Sequence, residues 1–242
     1  MKEWLLEQKD AFILNFIDGD RWQYITDGLI TTLKITFCAL LIGLVLGVLI
    51  AAVRSTYDKN HETMHRSLSF YLLKICNWLC KLYLTVIRGT PVVVQLLIMY
   101  FIIMVNWRDG VTVAIFAFGI NSGAYVAEIV RGGIMSIDNG QFEAGRSLGF
   151  NYAQTMIYII IPQVVKNVLP TLANEAIVLL KETSVAGYVA VQDLTKGGDI
   201  IRGRTFSAFM PLFAVALIYL VIVMILTWLV GKLERSLRKN ER

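Results

Sequence analysis

Glu143-Ala144-Gly145-Arg146-Ser147-Leu148-Gly149 is a polar stretch set between two apolar blocks, and it runs on through Ile159-Ile160-Ile161-Pro162. Ala144 and Gly145 are small and are expected to leave a bare helix face that a partner can approach closely. Gly149 tolerates the left-handed conformation that ends a helix. Asn151, with Gln154 three residues on, has the pattern of a capping box opening a second short helix. Pro162 lacks an amide donor and clashes with the preceding turn, so it is expected to end or kink that helix. The stretch predicts a helix-turn-helix loop over about residues 136–162, with the next membrane span beginning near Val164.

Composition places that loop in a membrane protein. The 242 residues are 56% hydrophobic and 17% charged, with a mean hydropathy of +0.61; a soluble domain is nearer a quarter charged. The apolar residues fall in runs long enough to cross a bilayer. The net charge of +5 carries no nucleic-acid signal, because the lysines and arginines sit at span ends and in the tail. Cys38, Cys76 and Cys80 are read as reduced, structural thiols.

Working outward, residues 1–26 form an extension with acidic and apolar character. It is read as an amphipathic helix at the interface, guided by Trp4, Phe12, Phe16 and Trp22, or as a mobile segment. No basic region followed by an apolar core marks a cleaved signal. A first span over residues 29–53 carries Lys34 near its outer end and Gly43 and Gly47 as a close-packing pair. Arg54, Lys59, His61, His65 and Arg66 then mark the cytoplasmic side.

Residues 67–88 read as a helix whose Lys74, Lys81 and Arg88 share a face, turned toward headgroups and water. Arg88-Gly89-Thr90-Pro91 interrupts it before an apolar run over 92–105, and such interruptions place polar backbone near substrate in transporters. Gln95 is the one strongly polar side chain in that run. A turn at Asn106-Trp107-Arg108-Asp109-Gly110 returns the chain into a span over 111–134. Asn121, Ser122 and Glu128 in that span must face the bundle or water, and Glu128 is placed to pair with Arg131 three residues on.

The fourth span holds Pro170, Asn174 and Glu175, and Glu175 falls about mid-membrane at ~1.5 Å per residue. An intramembrane carboxylate there is a functional-site hypothesis. Residues 185–208 read as an outer loop or short helix, and 209–230 as the last span. The tail over 233–242 is basic and cytoplasmic by charge. The expected fold is an all-α membrane protein of five transmembrane helices, N-terminus outside and C-terminus cytoplasmic.

His61-Glu62-Thr63-Met64-His65 matches the H-E-x-x-H spacing of zinc proteases, in which two histidines hold the metal and the glutamate activates water. The site sits in a short charged loop with Arg66 directly after it, and the chain has only two histidines. Two interfacial histidines among cations account for it better than a membrane-embedded metalloprotease. No G-x-x-x-x-G-K-[ST] occurs, so the chain encodes no phosphate cradle of that type.

Taken together, the 143–162 loop, Arg88-Gly89-Thr90-Pro91-Val92-Val93-Val94-Gln95, Gly123 through Gly133, and Asn174-Glu175 through Lys181-Glu182-Thr183-Ser184 resemble the permease subunits of type I ABC importers. The branch resembled is the polar amino acid one, of histidine, glutamine and arginine type, and the resemblance covers about residues 27–232. Gly145 stands where that family's loop has alanine, and Ile161 where it has leucine.

The resemblance implies a non-catalytic subunit in the plasma membrane. It implies two ATP-binding cassette ATPase subunits holding ATP and Mg, a second permease copy as homodimer or paired heterodimer, an extracellular amino-acid-binding protein, and no cofactor or metal in this chain. Coupling to the ATPases falls to Glu143, Ala144, Gly145, Gly149, Ile159 and Pro162. Substrate contacts fall to Glu175, Lys181, Glu182, Thr183 and Ser184, with Thr90, Gln95 and Asn121. A carrier or channel working without ATP is the remaining alternative class.

Overall fold

A computed structural model describes residues 2–61, 64, 66–107 and 109–239, and these residues are helical nearly throughout, with no strand among them. Ten α-helices follow in order: α1 (Lys2–Phe12), α2 (Trp22–Asn60), α3 (Leu68–Gly89), α4 (Val92–Ile98), α5 (Gly110–Met135), α6 (Asn139–Ser147), α7 (Tyr152–Thr155), α8 (Ile161–Glu182), α9 (Leu194–Thr205) and α10 (Phe209–Lys239). Five helical stretches are long and apolar enough to cross a membrane: Trp22–Lys59, Leu68–Gly89, Gly110–Met135, Tyr152–Val189 and Phe209–Leu237. The number agrees with the expected five, and α3 and α4 are separate helices. The break itself lies where Pro91 requires it. Thr90 is extended (φ −123°, ψ 147°), as a residue before proline is forced to be.

The chain divides into two compact units. Unit one comprises Met1–Ala39, Val92–Phe118 and Ile177–Trp228, and unit two comprises Leu40–Pro91, Gly119–Ala176 and Leu229–Arg242.

Unit one has a core of Ile25, Leu194, Ile201 and Val215, with Phe16, Tyr24 and Tyr219 packed on it. The N-terminal segment is tied into this unit. Asn15, in a π-helical turn over Ile13–Ile17, is fully buried. Its amide donates to the Ala11 carbonyl (2.8 Å) and the Ser207 hydroxyl (3.2 Å), and its oxygen accepts from Thr205 Oγ1 at 2.8 Å. These three bonds satisfy the buried amide and join the segment to residues 205 and 207 within unit one. α2 begins at Trp22, so the expected 26/27 boundary falls inside a helix.

Two close approaches fix how α2 and α9 meet in unit one. Gly28 backs onto the Asp193 carbonyl, 2.5 Å from where a Cβ would stand, and Gly197 lies against the Tyr24 carbonyl. Thr32 Oγ1 accepts from the Leu194 amide at 3.0 Å. Asp109 opens α5 by accepting from the Val111 amide (3.0 Å) and the Thr112 hydroxyl (2.5 Å), and the Thr112 bond holds its carboxyl below the usual range.

Unit two has one core of Ile134, Ile137, Phe142, Ile160, Val164 and Val168 and a second of Leu84, Ala124 and Ala127. Gly43 and Gly47 meet Ser122 and Val126, as a close-packing pair should. Of the two outcomes expected at Pro162, an end or a kink, the helix does not end there. A π-helical turn over Met156–Ile160 joins α7 to α8, with the Ile161 amide reaching five residues back to the Met156 carbonyl. That wider turn absorbs the missing proline donor and relieves its clash with the preceding carbonyls.

The glycine contacts in α9 give a paired prediction. Gly197→Ala puts a methyl into the immovable Tyr24 carbonyl and should destabilise the protein by about 1–3 kcal/mol. Gly203→Ala, where nothing lies within 4 Å, should leave stability unchanged or raise it by up to about 1 kcal/mol through helix propensity. Thermal unfolding of the purified variants distinguishes them; equal melting temperatures would contradict the assigned contact.

Candidate functional site

The polar loop in unit two is built from three local signals. Asp138 caps α6, accepting from the Gly140 amide at 2.6 Å. α6 ends in a Schellman arrangement: Phe150 N donates to the Gly145 carbonyl (3.0 Å) and Gly149 N to the Arg146 carbonyl (2.9 Å). Gly149 supplies the required positive φ, +80°. The capping box at Asn151 and Gln154 is present, both bonds at 2.9 Å.

Side-chain placement divides the predicted coupling residues. Glu143, Ala144, Gly149 and Pro162 are exposed. Gly145 is not on the open face. It is buried against Thr155, whose Cγ2 lies 2.6 Å from the position of a Cβ, so its small size serves the α6–α7 contact and the bare-face expectation is corrected there. Ile159 is half-buried and packs on the Phe142 and Ile160 core.

Sequence reasoning passed over Leu148, Ile157 and Tyr158, which are exposed at 71%, 57% and 68%. Large apolar side chains this open beside a polar loop mark an interaction surface. Lys59, expected only as one of the cations flanking the first span, donates to Asn139 Oδ1 at 2.7 Å and sits 4.6 Å over the Phe142 ring, holding the end of α2 to α6.

A second group in unit two centres on Glu128. The expected pair with Arg131 forms at 3.1 Å. Arg54 reaches the other carboxylate oxygen at 2.9 Å, and Arg88 approaches it at 3.9 Å with its guanidinium 5.8 Å from the Tyr125 ring. Asp58 pairs with Arg131 at 3.3 Å. Local spacing disclosed only the i,i+3 pair, since Arg54, Asp58 and Arg88 come from other helices. Arg88 lies at the edge of this cluster, with its side chain still 45% exposed.

Of the predicted substrate contacts, Asn121, Glu175 and Thr90 lie in unit two. Asn121 is buried, and its neighbour Ser122 donates to Glu175 at 3.4 Å. Thr90 is exposed, with its hydroxyl bonded to the Val86 carbonyl at 2.8 Å.

Gln95, Lys181, Glu182, Thr183 and Ser184 lie in unit one. Lys181 is exposed, and Glu182 and Gln95 are half-buried. Thr183 is fully buried and its hydroxyl donates to the Leu180 carbonyl at 2.7 Å, so it holds the turn in which α8 tightens rather than offering its hydroxyl outward.

Ser184 opens on a cavity of about 400 Å³ lined also by Tyr188, Asp193, Thr195, Lys196 and Asp199. Asp193, missed in the sequence, caps α9 through the Lys196 and Thr195 amides at 3.0 and 3.1 Å. Burial pushes its carboxyl up, against those bonds. Asp199 pairs with Arg202 and Lys196, which hold its carboxyl below the usual range. His61 stacks on Tyr57 with centroids 5.2 Å apart; the Glu62 and His65 of the zinc-like motif lie outside the described residues.

Residues 67–239 match the family of binding-protein-dependent transport system inner membrane components. The arginine transport system permease protein ArtQ of Bacillus subtilis (strain 168) is 35% identical over 222 residues, covering 90% of this chain and 94% of its own. The glutamine transport system permease protein GlnP of Escherichia coli (strain K12) is 38% identical over 168 residues, covering 68% of this chain and 77% of its own. Among solved structures, an amino acid ABC transporter with histidines aligns with a TM-score of 0.77 and 40% identity, over 88% of this chain and 94% of that one. The inward-facing MetNI methionine ABC transporter, at 17% identity and a TM-score of 0.75 over 90% of this chain and 98% of that one, shares the fold.

With five membrane-length helices, a family match over residues 67–239 and a 35% identical relative that covers 90% of its length, the chain belongs to the binding-protein-dependent transport system inner membrane component family, as a multi-pass, non-catalytic permease subunit of an ABC importer.

Proposed function

We propose that this subunit translocates polar amino acids, driven by ATP hydrolysis in separate ATPase subunits that dock on the Glu143–Pro162 loop. The observation that carries the reading is the 35% identity to an arginine permease over nine-tenths of the chain, combined with an exposed Glu143 on a helix capped at both ends. Two ATPases would bind ATP and Mg, and two permease copies, identical or paired, would flank the path. An extracellular binding protein would deliver the amino acid, with the N-terminus of this chain on that side.

The chemistry of the proposed contacts suits a zwitterion. Its ammonium needs an acceptor, which Glu175 or Glu182 supplies, and its carboxylate needs donors, which Lys181, Ser184 and Gln95 supply. Asn121 and the Thr90–Pro91 break add neutral polar groups. Thr183 acts through the backbone it holds. Alternating access then moves helices as rigid bodies. The loop suits that role because Gly145 on Thr155 and Phe142 on Ile160 tie α6 to a helix that continues through the π turn into α8.

Two variants test this in the assembled transporter. Glu143→Lys reverses the charge at the docking face and should cut ATP-driven uptake of labelled arginine or glutamine at least about tenfold, the equivalent of about 1.4 kcal/mol, with normal membrane insertion. Wild-type coupling of hydrolysis to uptake in that variant would contradict the loop assignment. Glu175→Gln removes a charge-assisted acceptor and should raise the KM for uptake about tenfold or more, while basal ATP hydrolysis stays unchanged. An unchanged KM would remove Glu175 from the substrate path.

A further inference from the structure

The Glu128 cluster in unit two holds more positive charge than its carboxylates can neutralise. A cavity of about 480 Å³ is lined by Arg54, Lys81, Leu84, Thr85, Arg88 and Glu128, three cations against one carboxylate. That carboxylate is already divided: Oε1 accepts from Arg54 at 2.9 Å, and Oε2 from Arg131 Nε and Nη2 at 3.3 and 3.1 Å. Arg88, at 3.9 Å, stands beyond hydrogen-bond distance. Asp58, the other carboxylate of the cluster, is taken by Arg131. Lys81 has no ion pair among the described residues, and Arg54 Nε is buried without a hydrogen-bond partner although its side chain is only 13% exposed.

Charges on membrane-spanning helices are costly unless they pair or face a water-filled cavity, and Lys81 and Arg88 are exposed where they line this one. The missing charge is negative. Two guanidiniums and an ammonium converging from α2 and α3 suit one kind of group, because a guanidinium fork matches the two oxygens of a carboxylate or phosphate. We propose that this cavity is an oxyanion-binding site, formed by Arg54, Lys81 and Arg88, that takes a phosphate or carboxylate group. Two sources present that chemistry here: the headgroup of an anionic phospholipid, and the carboxylate of a permeating amino acid. The second rests on the transport reading above; the first does not.

The test uses the assembled transporter in phosphatidylcholine nanodiscs and the double variant Lys81→Gln, Arg88→Gln, which keeps the Arg54–Glu128 pair. Lys74→Gln, on the same helix but outside the cavity, is the charge-matched control. Binding of phosphatidylglycerol is read by native mass spectrometry, and binding of arginine is compared with agmatine, which lacks the carboxylate. The double variant should bind at least one oxyanion ligand about tenfold more weakly, with agmatine and phosphatidylcholine unaffected and the control unchanged. Loss confined to phosphatidylglycerol identifies the lipid; loss confined to arginine identifies the substrate carboxylate. If the wild-type complex neither binds nor transports arginine, the transport reading fails and the lipid measurement alone decides. Should the double variant not purify folded, Lys81→Gln alone is measured. Wild-type binding of both ligands, or losses equal to those of Lys74→Gln, overturns the proposal.

Discussion

Everything in the loop of unit two depends on Gly145 meeting Thr155. A methyl at 145 would lie 2.6 Å from the threonine Cγ2, so only glycine lets α6 approach α7 this closely. With that contact made, Phe142 enters the core formed by Ile134, Ile160 and Val164, and the two helices move as one piece. The Schellman ending and the capping box do the complementary work, satisfying the backbone groups exposed where the chain reverses. The loop is thus held by packing at its centre and by hydrogen bonds at its ends.

The loop is continuous with the span that follows it. α7 runs through the π turn and past Pro162 into α8 without a break, so the loop and the helix bearing Glu175 share one backbone rod. A proline stop at 162 would have put a hinge between them. The π turn prevents it by shifting one hydrogen bond to a partner five residues back. The same device appears at Ile13–Ile17 and Met99–Ile103, and at the first of these it accompanies the burial of Asn15.

Local chemistry was legible in the sequence and remote chemistry was not. The helix stop at Gly149, the Asn151–Gln154 box, the Thr90–Pro91 break, the Gly43/Gly47 packing face and the Glu128–Arg131 pair all depend on residues a few positions apart, and each is found in the structure. The Glu128 cluster needed Arg54, Asp58 and Arg88 from two other helices, and no periodicity joins them. Gly145 misled for a related reason: a small residue on a predicted helix reads alike whether its neighbour is a partner protein or Thr155. The Thr183 hydroxyl bonds a carbonyl three residues back, as threonines in helical backbone do, and composition does not reveal it. At Pro162 the widened turn that carries the helix past it has no sequence mark of its own.

The central claim is that the exposed face of the loop meets the ATPase. Cross-linking from Ala144→Cys, in a chain with Cys38, Cys76 and Cys80 replaced, measures that contact directly in the assembled transporter. The account predicts a specific permease–ATPase adduct from position 144 with a short thiol-to-amine bifunctional reagent, changing in yield with ATP. An adduct absent at 144 in an intact, ATP-hydrolysing complex would contradict it.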